Sequence, residues 1–245
     1  MRSLTLLFLF TFSSLMAKES ALHVSSGFPE PETFLVESIV KEGFKRAGIP
    51  IKYQTVPTER SLINVNLGLD DVEAGRIEGM EKLYPNLVRV PVPIHNIDIV
   101  LLSKKRFHIK NISDLKPYHL GLNRGVKIAE TIAKQANPQS ITEATSYKML
   151  IKMLTNNRID IIITSKIAIF TILADTNEKG LFMTSKPLES RPIYTYLNKK
   201  HQSLIPKLEA AYKSMETDGT IQKKHEQFLQ KLGKKIGDKV EVVND

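Results

Sequence analysis

The chain has 245 residues, of which 42% are hydrophobic, and 35 Lys or Arg against 26 Asp or Glu give it a net charge of +9. This globular composition excludes a disordered or fibrous chain, and the absence of Cys excludes disulfides and a cysteine nucleophile. Trp is also absent and aromatic residues make up 7%, so the scattered basic residues indicate a solvated surface and not a nucleic-acid binder.

The N-terminus has the layout of a signal peptide. Arg2 precedes an apolar run at residues 4–15, and the small residue Ala17 follows the run closely. We therefore expect residues 1–17 to be a signal peptide and the mature chain to be periplasmic. The run is shorter than the about 20 apolar residues of a membrane-spanning helix, so an uncleaved N-terminal anchor is the weaker alternative.

Strand and helix patterns alternate at the start of the mature chain. Residues 22–25 read as a strand that ends in a loop with two prolines. Thr33 is predicted to cap a helix that stops at Gly48. The apolar face of this helix is predicted to contain Phe34, Leu35, Ile39, Val40 and Phe44.

The next elements continue the same alternation. Residues 51–56 read as a strand, a short helix then ends at Gly68, and residues 72–77 form another strand. Such alternation predicts a parallel α/β sheet, in which ligands lie beyond the carboxyl ends of the strands. The loops that follow these strands should therefore share one edge and form a candidate site.

The middle of the chain predicts a crossover and a second sheet. Residues 87–92 and the apolar run 97–102 are β-like, and the βα alternation then restarts with a strand at 118–122. The later elements are a helix at 126–135, a helix around residues 149–154, strands at 159–163 and 193–197, and helices at 204–215 and 221–232. The last helices are expected to return to the first lobe.

Six short pieces, in this order and spacing, resemble type II periplasmic substrate-binding proteins, specifically the family 3 extracellular solute-binding proteins of polar amino-acid uptake. The pieces are GLDD (68–71), LVRVPVPI (87–94), ISDLK (112–116), LGLNRG (120–125), RID (158–160) and METDG (215–219). The resemblance covers nearly the whole mature chain.

The resemblance implies an α/β fold of two lobes, each a mixed sheet flanked by helices, joined by two hinge strands. Residues 18–98 and 190–245 would form lobe 1, and residues 99–189 would form lobe 2. It also implies a monomer that closes on a small polar solute, expected to be anionic or zwitterionic, for an ABC-type uptake system. The expected partner is a membrane permease or a sensor protein, and no cofactor, metal or nucleic acid is expected.

In lobe 1, Arg76 is the main candidate for binding the solute. It lies at the end of a predicted strand, and its planar guanidinium suits a carboxylate, although a surface arginine is the alternative. Glu59 and Arg60 follow Pro57 at the same edge and are expected to orient the solute, or to form an ion pair at the start of a helix. Phe28 is expected to cover the solute, and Glu78 to bind an ammonium group.

In lobe 2, Asn123, Arg124, Gly125 and Val126 end a strand and open a helix, so their backbone N–H groups predict an anion site. Thr164 and Ser165 end a later strand where amino-acid binders of the family carry an acid for the α-ammonium group. That acid is missing here. Lobe 2 also has fourteen Lys or Arg against seven Asp or Glu between residues 103 and 190, which favours anions.

Two alternatives remain open from sequence. A sensor module of the same fold would carry the same residues. A dehydratase-like enzyme would need a general acid, for which Glu59, Glu73 and Glu78 are candidates. The sequence has no HExxH motif and no glycine-rich phosphate loop, so we expect a binding protein and not an enzyme.

Overall fold

The computed structural model describes residues 20–28, 30–124 and 126–243. The predicted signal peptide and Gly125 lie outside the described residues. The helices are α1 (Glu32–Arg46), α2 (Thr58–Leu67), α3 (Met80–Leu83), α4 (Lys127–Ala136), α5 (Tyr147–Thr155), α6 (Lys166–Ala174), α7 (Ile205–Thr217) and α8 (Thr220–Ile236). The strands are β1 (Leu22–Ser26), β2 (Ile51–Thr55), β3 (Val72–Ile77), β4 (Leu87–Ser103), β5 (His119–Asn123), β6 (Ser140–Ala144), β7 (Ile161–Ser165), β8 (Leu181–Thr184), β9 (Glu189–Asn198) and β10 (Val240–Val243).

The strands form one continuous path in the order β2-β1-β3-β9-β4-β7-β5-β6. In lobe 1, β1 pairs in parallel with β2 and β3. In lobe 2, β5 pairs in parallel with β6 and β7. The antiparallel strands β4 and β9 run between these two groups and join them. The predicted two-lobed α/β fold with mixed sheets and two hinge strands is confirmed.

The hinge strand β4 is one 17-residue strand and not the two β-like segments that the sequence predicts. Pro91 and Pro93 lie within it, and its register against β9 shifts between Arg89 and Pro93 and again between Pro93 and His95. Proline cannot donate a ladder hydrogen bond and is tolerated at edges and bulges. Because β4 pairs with β7 only from Ile99 onward, its prolines lie where one edge of the strand is open.

The core of lobe 1 is built by α1, α7 and part of α8 against the sheet. Helix α1 begins at Glu32, with Pro31 in the N-cap position and no side-chain cap. The prediction that Thr33 caps this helix is therefore wrong. The Thr33 side chain is buried instead, with its hydroxyl 3.2 Å from that of Thr55. Phe34 is 51% exposed, because the buried stripe of α1 runs through Leu35, Ile39 and Phe44 at helical spacing and leaves position 34 outside it.

Two apolar clusters cover the two faces of the lobe 2 sheet. One joins Val100, Leu102 and Ile162 to α5 and α6. The other joins Ile99, Leu101, Ile161 and Ile163 to α4. Alternate residues of β4 and β7 thus face opposite helical layers, as expected for strands buried on both faces.

The end of the chain crosses from lobe 1 to lobe 2. Within α8, Leu232 belongs to the lobe 1 core, whereas Ile236 belongs to a lobe 2 cluster. The strand β10 then pairs in parallel with β8. This pairing differs from the predicted return of all residues 190–245 to lobe 1, because the β-branched segment VEVV extends the open edge of the lobe 2 sheet.

Two helical glycines provide a matched test of the core. A Cβ built on Gly43 in α1 would lie 2.1 Å from the Tyr212 ring, whereas one on Gly233 in α8 would have no neighbour within 4 Å. We expect Gly43→Ala to lower the free energy of unfolding by about 1–3 kcal/mol through overpacking. Gly233→Ala should raise it by about 0.5–1 kcal/mol through helix propensity. Urea unfolding measures both, and equal effects would contradict the described packing.

Candidate functional site

The lobe 1 candidates Phe28 and Arg76 do lie together. The Arg76 guanidinium carbon is 5.7 Å from the centroid of the Phe28 ring, and both residues are buried. A Cβ on Gly27 would lie 2.1 Å from Arg76 Nη2, so only glycine allows this close approach. The loop after β1 and the end of β3 therefore form one packed unit, as the topology predicts.

The guanidinium of Arg76 points into lobe 1 and is held by groups of the protein. Its Nη1 donates to the Gly75 carbonyl at 2.9 Å, and its Nη2 donates to the Thr58 carbonyl at 2.8 Å and to Ser61 Oγ at 2.6 Å. The side chain is 10% exposed. For Arg76 to bind a solute carboxylate, hydrogen bonds to Gly75, Thr58 or Ser61 would have to be replaced by bonds to the solute.

A buried carboxylate explains why the guanidinium is held inside. Glu73 is fully buried in β3, and its Oε1 lies 3.4 Å from Arg76 Nη1. Burial raises the pKa of Glu73 to about 7, with the charge of Arg76 opposing that rise. Glu73 Oε2 and Arg76 Nε are buried without a hydrogen-bond partner in the described structure. The pair therefore depends on mutual charge compensation.

This ion pair makes a prediction for stability. Arg76→Met should lower the free energy of unfolding by about 3–5 kcal/mol, because it leaves Glu73 buried and uncompensated. Adding Glu73→Gln to that variant should recover a large part of the loss. As a control, Lys41→Met breaks the exposed pair of Lys41 with Glu37 and should cost below about 1 kcal/mol. Urea unfolding at pH 8 measures all three, and a mild effect of Arg76→Met alone would refute the charge compensation.

The other lobe 1 candidates do not converge on Arg76. Glu59 accepts a hydrogen bond from Tyr84 Oη at 2.6 Å, and Glu78 forms a salt bridge with Arg89. Arg60 is exposed and makes no hydrogen bond or ion pair to another described residue. Glu59 and Glu78 are thus engaged with neighbours of their own lobe.

In lobe 2, Asn123 and Thr164 meet at adjacent strand ends, together with a residue that sequence reasoning missed. Tyr147 Oη lies 3.0 Å from Thr164 Oγ1, and burial raises the pKa of Tyr147. Asn123 Oδ1 is buried without a partner among the described residues. Tyr147 opens the helix after β6, so the rule that sites follow strand ends would have identified it.

The remaining lobe 2 candidates have different environments. Arg124 is 65% exposed and lies 3.5 Å from Glu143. Val126 is the N-cap of α4 and provides no side-chain cap. Ser165 caps α6 by accepting a hydrogen bond from the Ala168 N–H at 3.2 Å. Among described residues, no hydrogen bond or ion pair joins these candidates to those of lobe 1.

A cavity of about 380 Å³ lies at the junction of the lobes. Its walls come from the start of α1, from β4, from the junction of β7 with α6, and from α7 and α8. The lining residues are Glu32, Pro93, Ile94, His95, Asn96, Ile97, Asp98, Ser165, Lys166, Ile167, Glu216, Ile221, Gln222, His225 and Leu229. Only Ser165 among them is a sequence-predicted site residue.

Two stacked imidazoles and one carboxylate form the inner wall of this cavity. His95 Nε2 lies 2.9 Å from Glu32 Oε1, and the His95 and His225 rings stack with centroids 4.9 Å apart. Burial lowers the pKa of His225 to about 4, and the neighbouring His95 adds to this effect. His225 is therefore neutral at pH 7, and the stack ties α8 to β4.

The buried imidazole makes a prediction for pH dependence. Because the pKa of His225 falls from its ordinary 6.5 to about 4 on folding, the unfolded chain binds the proton more readily between these values. Its contribution to stability is thus fully present above about pH 6.5 and is lost as pH falls towards 4. His225→Gln should flatten the pH dependence of the unfolding midpoint in this window. His23→Gln, at an exposed position of β1, should leave it unchanged, and an equal effect of both variants would disprove the assignment.

In the described part of the chain, no cluster of three or more His, Asp or Glu side chains is arranged to hold a metal ion. Nor does any helix there combine the length and apolar character needed to cross a membrane.

Comparisons with known proteins support the same fold. No family model matches the chain. An uncharacterized protein of Shewanella oneidensis is 26% identical over 198 residues, which cover 78% of this chain and 74% of that protein. The probable amino-acid ABC transporter extracellular-binding protein ytmK from Bacillus subtilis matches with a TM-score of 0.73 at 18% identity, over 84% of this chain and 96% of that chain.

Two further solved structures are similar. The GluR0 ligand binding core in complex with L-glutamate has a TM-score of 0.70 at 14% identity, over 86% of this chain and 98% of that chain. A histidine kinase sensor domain with similarity to periplasmic binding proteins has a TM-score of 0.66 at 10% identity, over 85% and 96% of the two chains. The chain therefore has the two-lobed periplasmic-binding-protein fold of these solved structures.

Proposed function

We propose that this chain is a periplasmic solute-binding protein, exported by its N-terminal signal peptide, that closes its two lobes on a small polar solute. The observation that carries this proposal is the cavity of about 380 Å³ whose walls come from both lobes and from the hinge strand β4. This volume lies within the range of about 300–1,000 Å³ that is usual for small-molecule sites. A solute held there contacts both lobes, and closure buries it.

The proposed binding surface combines this cavity with the strand ends predicted from sequence. Of the residues predicted from sequence, Ser165 lines the cavity, and Phe28, Asn123, Arg124, Val126 and Thr164 are proposed to contact the solute from the neighbouring strand ends. Arg76 supports the lobe 1 side from within. The proposed lobes are residues 18–98 with 190–239, and residues 99–189 with the strand β10. Affinity requires no reacting group, since donors and acceptors on rigid strand ends pair the polar atoms of the buried solute.

The burial and contacts of the candidate acids support binding over catalysis. A dehydratase-like mechanism needs a general acid that reaches the substrate. Glu73 has a pKa of about 7 but is fully buried beneath Arg76. Glu59 and Glu78 are engaged by Tyr84 and Arg89. We therefore propose a monomeric binding protein that acts without a cofactor.

Uptake and sensing are the two roles that this fold supports. The ytmK protein is named as a probable amino-acid ABC transporter extracellular-binding protein, which favours delivery of the solute to an ABC-type permease. The match to a histidine kinase sensor domain favours a sensor partner instead. Uptake is our first proposal, because the ytmK structure matches this chain with the higher TM-score, 0.73 against 0.66 for the sensor domain.

A thermal-shift screen tests the proposed function. We expect at least one amino acid or related small acid to stabilise the protein, since a solute at 100 times its Kd adds about 2.7 kcal/mol to the free energy of unfolding. For a chain of this size, that shift raises Tm by roughly 5–10 °C. The solute should be recovered unchanged after incubation. A screen of amino acids and dicarboxylates without a stabilising compound, or turnover of the bound compound, would contradict the proposal.

A further inference from the structure

We propose that Glu32 binds an ammonium group of the solute and that Lys166 binds its anionic end, so that the cavity selects zwitterions of neutral or positive net charge. This inference rests on the proposed function and narrows its ligand class. It separates amino-acid-like solutes from dicarboxylates, which the overall basic charge would favour.

One carboxylate oxygen of Glu32 is bonded within the protein, and the other is open to the cavity. The side chain is 10% exposed and lines the cavity. Its Oε1 lies 2.9 Å from His95 Nε2. The other oxygen, Oε2, has no hydrogen bond within the described residues and is not among their buried unpartnered atoms. It is therefore open to the cavity, where it can accept a hydrogen bond from an ammonium group.

His95 acts on this carboxylate as a positioning residue. Its side chain is 4% exposed, and its Nδ1 is buried without a partner in the described structure. The ring is thus fixed by two contacts, the bond to Glu32 and the stack against His225. A carboxylate held from one side in this way is preorganised for a second donor arriving from the cavity.

Lys166 faces the cavity from the other lobe. It follows Ser165 at the start of α6, is partly exposed, and forms no ion pair with a described residue. Its Nζ lies 6.0 Å from the Phe170 centroid, and among the described residues no carboxylate forms an ion pair with it. A solute with both charges can therefore bridge Glu32 of lobe 1 and Lys166 of lobe 2, which couples its binding to closure.

The charges of the cavity decide the ligand class. Three carboxylates line it, those of Glu32, Asp98 and Glu216, against the single ammonium of Lys166. His225 adds no charge at pH 7, because its pKa is about 4. Charges on the lobe 2 surface act through solvent and are screened within about 8 Å at physiological salt. The lining charges therefore outweigh the basic surface and disfavour a dianion.

The same geometry accounts for two features that the sequence left open. An acid at Thr164 or Ser165 is missing, and Glu32 supplies the carboxylate from the opposite lobe. The expected clamp at Arg76 is engaged with Thr58 and Ser61, and Lys166 supplies the cation instead.

Calorimetric titration with four probes tests this assignment. The probes are L-lysine, L-glutamine, glutarate, which lacks an amino group, and cadaverine, which lacks a carboxylate. We expect the wild-type protein to bind one or both amino acids at least about tenfold more tightly than glutarate, since a hydrogen bond to a charged group is worth about 10- to 100-fold in affinity. Tighter binding of glutarate would overturn the inference even if no variant folds.

Charge-removing variants locate the two contacts. Glu32→Gln should weaken the binding affinity for the amino acid by about 10- to 100-fold, whereas Glu37→Gln on the same helix should leave this affinity unchanged. Lys166→Met should weaken binding of the amino acid but leave any binding of cadaverine unchanged. Its control, Lys134→Met on α4, should change neither affinity. Wild-type affinity in both Glu32→Gln and Lys166→Met would overturn the inference and leave the proposed function standing. Failure of the wild-type protein to bind any of a broad set of amino acids and acids would instead refute the proposed function.

Discussion

The antiparallel pairing of β4 with β9 is the constraint on which the rest of the structure depends. This ribbon belongs to the sheets of both lobes, and it is held from Leu87 paired with Asn198 to Ile99 paired with Glu189. Each lobe anchors its helices on its own end of the ribbon through an apolar cluster. Relative motion of the lobes must therefore bend the middle of the ribbon, where the irregular pairing at Pro93 weakens the ladder.

The interlobe cavity follows directly from this arrangement. The wall of the cavity on the hinge side is formed by residues 93–98 of β4. These residues lie just before Ile99, where the pairing of β4 with β7 begins. Because that stretch has an open edge, α1, α6 and α8 can all approach it. The result is a cavity whose polar lining groups come from both lobes, with Glu32 from one and Lys166 from the other. Arg76 is held within lobe 1 and does not line this cavity.

The sequence predicts the two-lobed fold and most of its elements, because strand and helix periods alternate clearly and turn residues such as Gly68 and Gly219 separate them. It fails at α1, where the helix starts at Glu32 and Thr33 is buried against Thr55, a tertiary contact that no local pattern records. The sequence locates the strand ends but not the direction of side chains. It therefore predicts that Arg76 is available to the solute, whereas its guanidinium is bonded to Thr58 and Ser61. The cavity is formed by residues distant in sequence, such as Glu32 and His225, and therefore could not be predicted.

The strand β10 has a consequence for the order in which the protein folds. Lobe 2 lies in the middle of the chain, yet β8 finds its parallel neighbour only in Val240–Val243, the last described residues. During synthesis this edge of the second sheet thus stays unpaired until the segment that contains α7 and α8 has also been made. The sheet of lobe 2 thus depends on a strand pairing of high sequence separation, and such non-local contacts slow folding because a long loop must close before they form.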